Sequence, residues 1–163
     1  MTFYIFIAFL ICQRLSELYV SSRNEKWLLQ HGAVEYGREH YPFMIALHTL
    51  FIISLLVEYH LRDEVFANYY LIALFVLLCC LKAMIVANLG TYWTTRIYRI
   101  PNTPLVTSGI YKYMRHPNYI IVIIEVAAIP LAFGLYYTFV VFCVLNALML
   151  TVRIKKENEA LAS

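Results

Sequence analysis

Several groups of residues in this chain have types and spacings that could do chemistry. Between Gly109 and Ile120 the sequence reads GIYKYMRHPNYI. It gathers Lys112, Arg115 and His116 with Tyr111, Tyr113 and Tyr119, then runs into an apolar segment. Tyrosine rings stack on planar groups and attract cations. Pro117 sets the start of a helix, so His116 and its neighbouring backbone groups lie at a helix N-terminus. In the tail, Arg153 and Glu157 are four residues apart, a spacing that lets both lie on one helix face. There a guanidinium can hold an anionic group and a carboxylate an ammonium. The ordinary alternative is a basic membrane-interface anchor for Arg115 and His116, and an exposed helical ion pair for Arg153 and Glu157.

A second set of ionisable residues falls inside apolar segments, where charge is expensive and functional by default. Arg14 and Glu17 are spaced to pair on one helix. Lys82 and Glu125 each lie about 9 Å from the same polar boundary, at 1.5 Å per residue, so an ion pair between them is expected. Arg14, Glu17, Glu125 and His48 are candidate contacts for a substrate. So are Trp93 and Arg96, on a polar, aromatic shoulder with Asn88, Tyr92 and Thr94. That shoulder reads equally as an interfacial aromatic belt. His40 and His48 flank the second apolar segment, and Asn118 reads as a helix start.

The elements that must hold these groups are membrane helices. Of 163 residues, 62% are hydrophobic and only 14% charged, against roughly a quarter charged in a soluble domain. Mean hydropathy is +0.68. The expectation is one polytopic domain, all-α, over residues 1–163, with five transmembrane helices at 3–20, 43–59, 66–89, 119–133 and 135–151. The first apolar stretch ends in charged residues without a small-residue cleavage site, so it reads as a retained span. The short fourth segment and the fifth form a helical hairpin across GLYY. Lysines and arginines concentrate in 21–42, 90–118 and 152–163, while the opposite face holds only Arg62, predicting N-out, C-in with chemistry on the cytoplasmic side.

Composition also excludes classes. The four cysteines lie in apolar segments without metal-ligand spacing and read as buried thiols, so no metal is expected. A net charge of +3 is too small and dispersed for nucleic-acid binding. No Gly-x-Gly-x-x-Gly follows a strand, which excludes a Rossmann-type fold.

The stretch NLGTYWTTRIYRIPNTPLVTSGIYKYMRHPNY (88–119) and the tail RIKKENEAL together resemble the isoprenylcysteine carboxyl methyltransferase family. That family's pattern is Leu-Val-x-x-Gly-x-Tyr-x-x-x-Arg-His-Pro-x-Tyr, a helical hairpin, then Arg-x-x-x-Glu-Glu. The first block is matched by Leu105, Val106, Gly109, Tyr111, Arg115, His116, Pro117 and Tyr119, the second by Arg153 and Glu157. QRLSELYVSSRNEKWLLQHGAVEYGREHYPFM is similar to short bacterial members, some resembling alkylpyrone O-methyltransferases. The chain departs from the pattern at Asn158, where the family often has a second glutamate. Glu159 cannot simply replace it, because one helical step rotates a side chain by about 100°.

The resemblance implies S-adenosylmethionine as methyl donor, bound by a part spanning about 88–161. It implies donor contacts at Leu105, Val106, Gly109, Tyr111, Tyr113, Arg115, His116, Pro117, Tyr119 and Glu157, with Arg153 and Glu157 catalytic. Methyl transfer from a sulfonium needs chiefly alignment and exclusion of water. A carboxylate or acidic enol is ionised near neutral pH and needs no general base, and no base–nucleophile pair stands out in the sequence. The expected reaction is O-methylation of a lipid-like acidic acceptor entering from the bilayer, a long-chain alkylpyrone enol or an isoprenylcysteine-type carboxylate, in a bacterial cell membrane. Phospholipid headgroup N-methylation fits less well, because an amine must lose a proton. The rival readings are an NADPH-dependent sterol-type reductase, which shares Arg-His-Pro-x-Tyr, and a non-catalytic lipid-binding membrane protein. The sequence leaves the oligomeric state open.

Overall fold

The computed structural model of the chain describes residues 1–62, 66–104 and 106–162. Five helices carry the fold: α1 (Thr2–Gln30), α2 (Tyr41–Leu61), α3 (Tyr69–Leu89), α4 (Pro117–Ala132) and α5 (Tyr136–Leu161). Among the described residues, α1, α2, α3 and α5 belong to segments long and apolar enough to cross a membrane. With 16 residues, α4 spans only about 24 Å, less than a ~30 Å hydrocarbon core. The expected count of five helices fits, four of them of membrane length and the fourth short, as its apolar segment is. The outer faces are lipid-like: Ile5, Leu15 and Leu148 are each 60% or more exposed, which a water-soluble surface would not tolerate in such number.

Helix ends follow local chemistry more than hydropathy. The first apolar run ends near residue 20, yet α1 continues to Gln30 because nothing breaks it before Gly32, whose φ is +79°. At α3 the Asn68 side chain accepts from the Tyr70 and Leu71 amides at 3.1 and 3.3 Å, so the helix starts after Phe66. The α4–α5 hairpin turns at Phe133–Leu135. Gly134 has φ +67°, and a Cβ there would come within 2.8 Å of the Phe66 ring. Glu58, buried near the end of α2, accepts from the Tyr137 and Thr138 amides at 3.1 and 2.7 Å. It thereby caps the N-terminus of α5, an interaction that offsets the helix's positive end.

The core at this end joins Phe3, Phe6 and Leu10 of α1 with Phe51 and Leu55 of α2, Phe75 of α3 and Ile129 of α4. The Phe3 and Tyr59 rings stack at 3.7 Å. Between helices in lipid such close packing, not exclusion of water, supplies the attraction. Cys12 and Cys80 are exposed on outer helix faces, and Cys79 and Cys143 are half-buried. The expectation of four buried thiols is corrected for the first two.

Two short strands depart from the all-α expectation. β1 (Val34–Tyr36) and β2 (Ile97–Arg99) form a short antiparallel ribbon, with Val34 opposite Arg99 and Tyr36 opposite Ile97. It ties the α1–α2 connection to the α3–α4 connection at the polar end of the bundle.

Candidate functional site

The polar half of α1 positions the wall of the site. Asn24 is buried and donates to the Gly90 and Trp93 carbonyls at 3.0 and 2.8 Å. The Ser21 hydroxyl accepts from the Thr95 amide at 2.9 Å. These bonds satisfy backbone groups that helix α3 leaves behind, and they hold Trp93 buried. Arg96 donates to Glu35 at 2.8 Å, lies 3.7 Å from Glu25 and covers the Tyr41 ring at 4.2 Å. Burial opposes its charge, but the hydrogen bonds to Glu35 and Tyr41 with the carboxylate field prevail and raise its pKa.

Opposite this loop, α4 begins at Pro117 with His116 just before it. The His116 ring stacks on Tyr119 with centroids 5.4 Å apart. Tyr119 donates to Glu157, and His116 Nδ1 lies 3.3 Å from Glu157 Oε1 without the alignment of a hydrogen bond. On α5, Arg153 sits one turn before Glu157. It is buried, donates to the Thr95 carbonyl at 2.9 Å and touches the Met44 sulfur. Its guanidinium is 5.8 Å from the Tyr119 ring centre. Arg153 and Glu157 share a face as their spacing requires, but no ion pair joins them among the described residues; Tyr119 reaches both.

Two cavities meet at this point. The smaller, about 140 Å³, is lined by Tyr111, Arg115, His116, Tyr119, Arg153 and Glu157, with Trp93, Arg96 and the β2 residues opposite. The larger, about 350 Å³, extends into the helices between α1, α2, α4 and α5. Its walls are mostly apolar, and Ile11 and Leu15 of α1 and Ile45 and Ile53 of α2 on its rim are exposed on the outer face. Trp93, Thr94, Asn118, Tyr119 and Arg153 line both. Around the smaller cavity His116 Nδ1, Asn118 Oδ1 and Arg153 Nε are buried without hydrogen-bond partners. Buried polar atoms are normally paired, so this set fits a ligand carrying both donors and acceptors, such as S-adenosylmethionine's ribose and amino acid ends. Burial, helped by the Glu157 carboxylate, pushes the Tyr111 phenol up to about 12, so it remains a neutral ring at physiological pH.

Not all the residues singled out in the sequence meet here. Tyr113 is 81% exposed, under the Lys112 ammonium. A short 3-10 helix over Gly109–Lys112 turns Tyr111 inward and its neighbour two residues on outward. Gly109 lies against Asn88, where an added Cβ would come within 2.8 Å, and its φ of +60° makes it a turn residue. Neither Gly109 nor half-buried Val106 lines either cavity. Leu105 lies outside the described residues. Glu159 is exposed and pairs with Lys156 at 2.9 Å.

The intramembrane charges form one cluster. Arg14 pairs with Glu17 at 3.0 Å and with Glu125 at 2.8 Å. Lys82 pairs with Glu125 at 2.8 Å and with Glu17 at 3.2 Å. Arg14, Glu17 and Lys82 line the larger cavity, while Glu125 is fully buried behind them. The expected Arg14–Glu17 and Lys82–Glu125 pairs are thus present and merge across α1, α3 and α4. His48 also lines this cavity; His40 is buried beneath Gly37, away from both cavities. Asn118, Thr95, Asn146 and Met44 were missed as site residues. Asn118 alone carried a signal, its place inside the Arg-His-Pro-x-Tyr block.

The arrangement sets a polar cavity against an apolar one among helices long and apolar enough to cross a membrane. The isoprenylcysteine carboxyl methyltransferase family model matches residues 71–163, and the chain belongs to that family. It is 40% identical over 161 residues to the uncharacterized protein YpbQ of Bacillus subtilis, covering 98% of this chain and 96% of that one. It is 30% identical over 158 residues to an uncharacterized protein of Haemophilus influenzae, covering 95% and 92%. No solved structure matches the chain. Among the described residues no group of histidines, cysteines and carboxylates is arranged to hold a metal ion.

Proposed function

We propose that the protein is an S-adenosylmethionine-dependent O-methyltransferase for a lipid-like acidic acceptor, in a bacterial cell membrane with its N-terminus outside and its site on the cytoplasmic face. The observation that carries this reading is the shared wall: Trp93, Thr94, Asn118, Tyr119 and Arg153 face a polar cavity on one side and an apolar one on the other. The donor belongs in the polar cavity. Tyr111 and His116 offer stacking faces, Tyr119 an aromatic face toward the sulfonium, and Glu157 a carboxylate for the ammonium. The acceptor belongs in the apolar cavity, entering between the rims of α1 and α2 with its chain left in lipid. Arg153, buried between the two, suits the acceptor's anionic oxygen. When bound, the donor supplies an electrophilic methyl group, so the protein's task is to align acceptor oxygen and methyl carbon and keep water out.

Calorimetric titration of the purified protein tests the assignment. S-adenosylhomocysteine binds the wild type, and His116→Ala or Glu157→Ala weakens it roughly tenfold, the loss of one stacking face or one charge-assisted contact. Binding of NADPH without S-adenosylhomocysteine would instead support the reductase reading. No affinity for either, with the variants indistinguishable, would support a non-catalytic lipid binder.

A further inference from the structure

The titratable groups on the wall of the larger cavity are already engaged, with one exception. Arg14, Glu17 and Lys82 are tied to one another and to Glu125. Tyr119 donates its hydroxyl hydrogen bond to Glu157, and Arg153 is a permanent cation that cannot take up a proton. His48 on α2 remains. Its Nδ1 lies 2.9 Å from the Met44 carbonyl oxygen. A carbonyl only accepts, so Nδ1 carries the proton and Nε2 keeps a free lone pair. Nε2 has no partner among the described residues. His31 and His60 make the same bond to their own helices, but neither lines a cavity at the site.

The position is also suitable. Met44, whose carbonyl fixes the imidazole, touches the Arg153 guanidinium through its sulfur. His48 is four residues further along α2, about 6 Å along the helix axis from Met44. The charged and titratable groups facing the same space are Arg14 and Glu17 from α1, Lys82 from α3, Tyr119 from α4 and Arg153 from α5.

We propose that His48 Nε2 accepts the proton of a neutral, hydroxyl-bearing amphiphile bound in the larger cavity, which makes His48 a catalytic residue. The proposal rests on the methyltransferase reading and changes its acceptor from one that arrives ionised to one that enters neutral and becomes anionic beside Arg153. A neutral hydroxyl crosses an apolar, lipid-facing opening without the desolvation cost of an ionised acid, but its oxygen must shed a proton to become a good nucleophile. In the transfer the acceptor's oxygen–methyl bond forms, the donor's carbon–sulfur bond breaks and the sulfur keeps that electron pair. The hydroxyl proton passes to His48 Nε2 and from there to water.

The test uses the full chain in detergent micelles with nitrogen-15-labelled histidine, the His48 resonance being assigned by its loss in His48→Gln. 4-Dodecylphenol is the hydroxyl probe and dodecanoate its ionised counterpart. The expected result is a shift of the His48 Nε2 resonance with the phenol and none with dodecanoate. Phenol affinity should fall roughly tenfold in His48→Phe, and S-adenosylhomocysteine should bind His48→Gln as it binds the wild type. If the phenol leaves the His48 resonance unmoved, or dodecanoate moves it equally, while S-adenosylhomocysteine still binds, the His48 proposal falls and the methyltransferase reading stands. If S-adenosylhomocysteine fails to bind the wild type, both fall.

Discussion

Replacing Glu125 by leucine probes the charge cluster most sharply. The wild-type cluster holds two cations, Arg14 and Lys82, against two carboxylates, Glu17 and Glu125. Both cations donate to the same Glu125 oxygen at 2.8 Å, so Glu125→Leu removes two charge-assisted bonds and leaves a net charge of +1. Lys82 is 3% exposed and Glu125 fully buried, so water cannot replace what is lost. Stranding a buried charge in this way costs about 3–5 kcal/mol. At roughly 2–4 °C per kcal/mol for a chain of this size, thermal unfolding in detergent should move down by about 6–20 °C. The double variant Lys82→Met, Glu125→Leu restores neutrality with the Arg14–Glu17 pair intact, and should recover most of that loss. Unfolding followed by the fluorescence of Trp27 and Trp93 reads both. A single variant within about 2 °C of wild type, or a double variant no better than the single, would refute the view that charge balance holds α1, α3 and α4 together here.

Two further outcomes follow from the geometry. Glu58→Ala strips the cap from the first turn of α5 and should cost about 1–2 kcal/mol, seen as a lower melting temperature and faster amide exchange at Tyr137 and Thr138, with Glu58→Gln intermediate. The Tyr111 phenol is pushed up to about 12 from 10, so between those values the folded chain binds more protons than the unfolded one. Its contribution is fully present below pH 10 and lost as pH rises toward 12; Tyr111→Phe should flatten that part of the stability profile, measured by denaturant titration at each pH.

How much of this was legible beforehand depends on the residue. Hydropathy located five apolar segments because lipid-facing positions must be apolar all round, but it could not see where helices stop. α1 and α5 run about ten residues past their apolar runs, because Arg23–Lys26 and Lys155–Glu159 are mostly arginine, lysine and glutamate, which favour helix, with no glycine or proline among them. Spacing within a helix was readable, as Arg14 with Glu17 and Arg153 with Glu157 illustrate. Depth from a shared boundary paired Lys82 with Glu125. The merging of both pairs was not readable, since it depends on α1 lying against α3 and α4. The β1–β2 ribbon rests on three-residue strands, too short for any alternation to register. The opposite fates of Tyr111 and Tyr113 turn on one 3-10 helix, and Asn118 became a site residue only once α4 put it between two cavities.

The central claim is that a methyl group crosses the wall at Trp93, Asn118, Tyr119 and Arg153. Incubating membranes that contain the protein with methyl-labelled S-adenosylmethionine and the host's lipid extract, then identifying labelled products by mass, tests it most directly. The account predicts a labelled amphiphile whose new methyl group is on oxygen, absent from membranes carrying Glu157→Ala. Membranes with the wild-type protein that bind the donor yet label no lipid, or that label one equally in the variant, would contradict it.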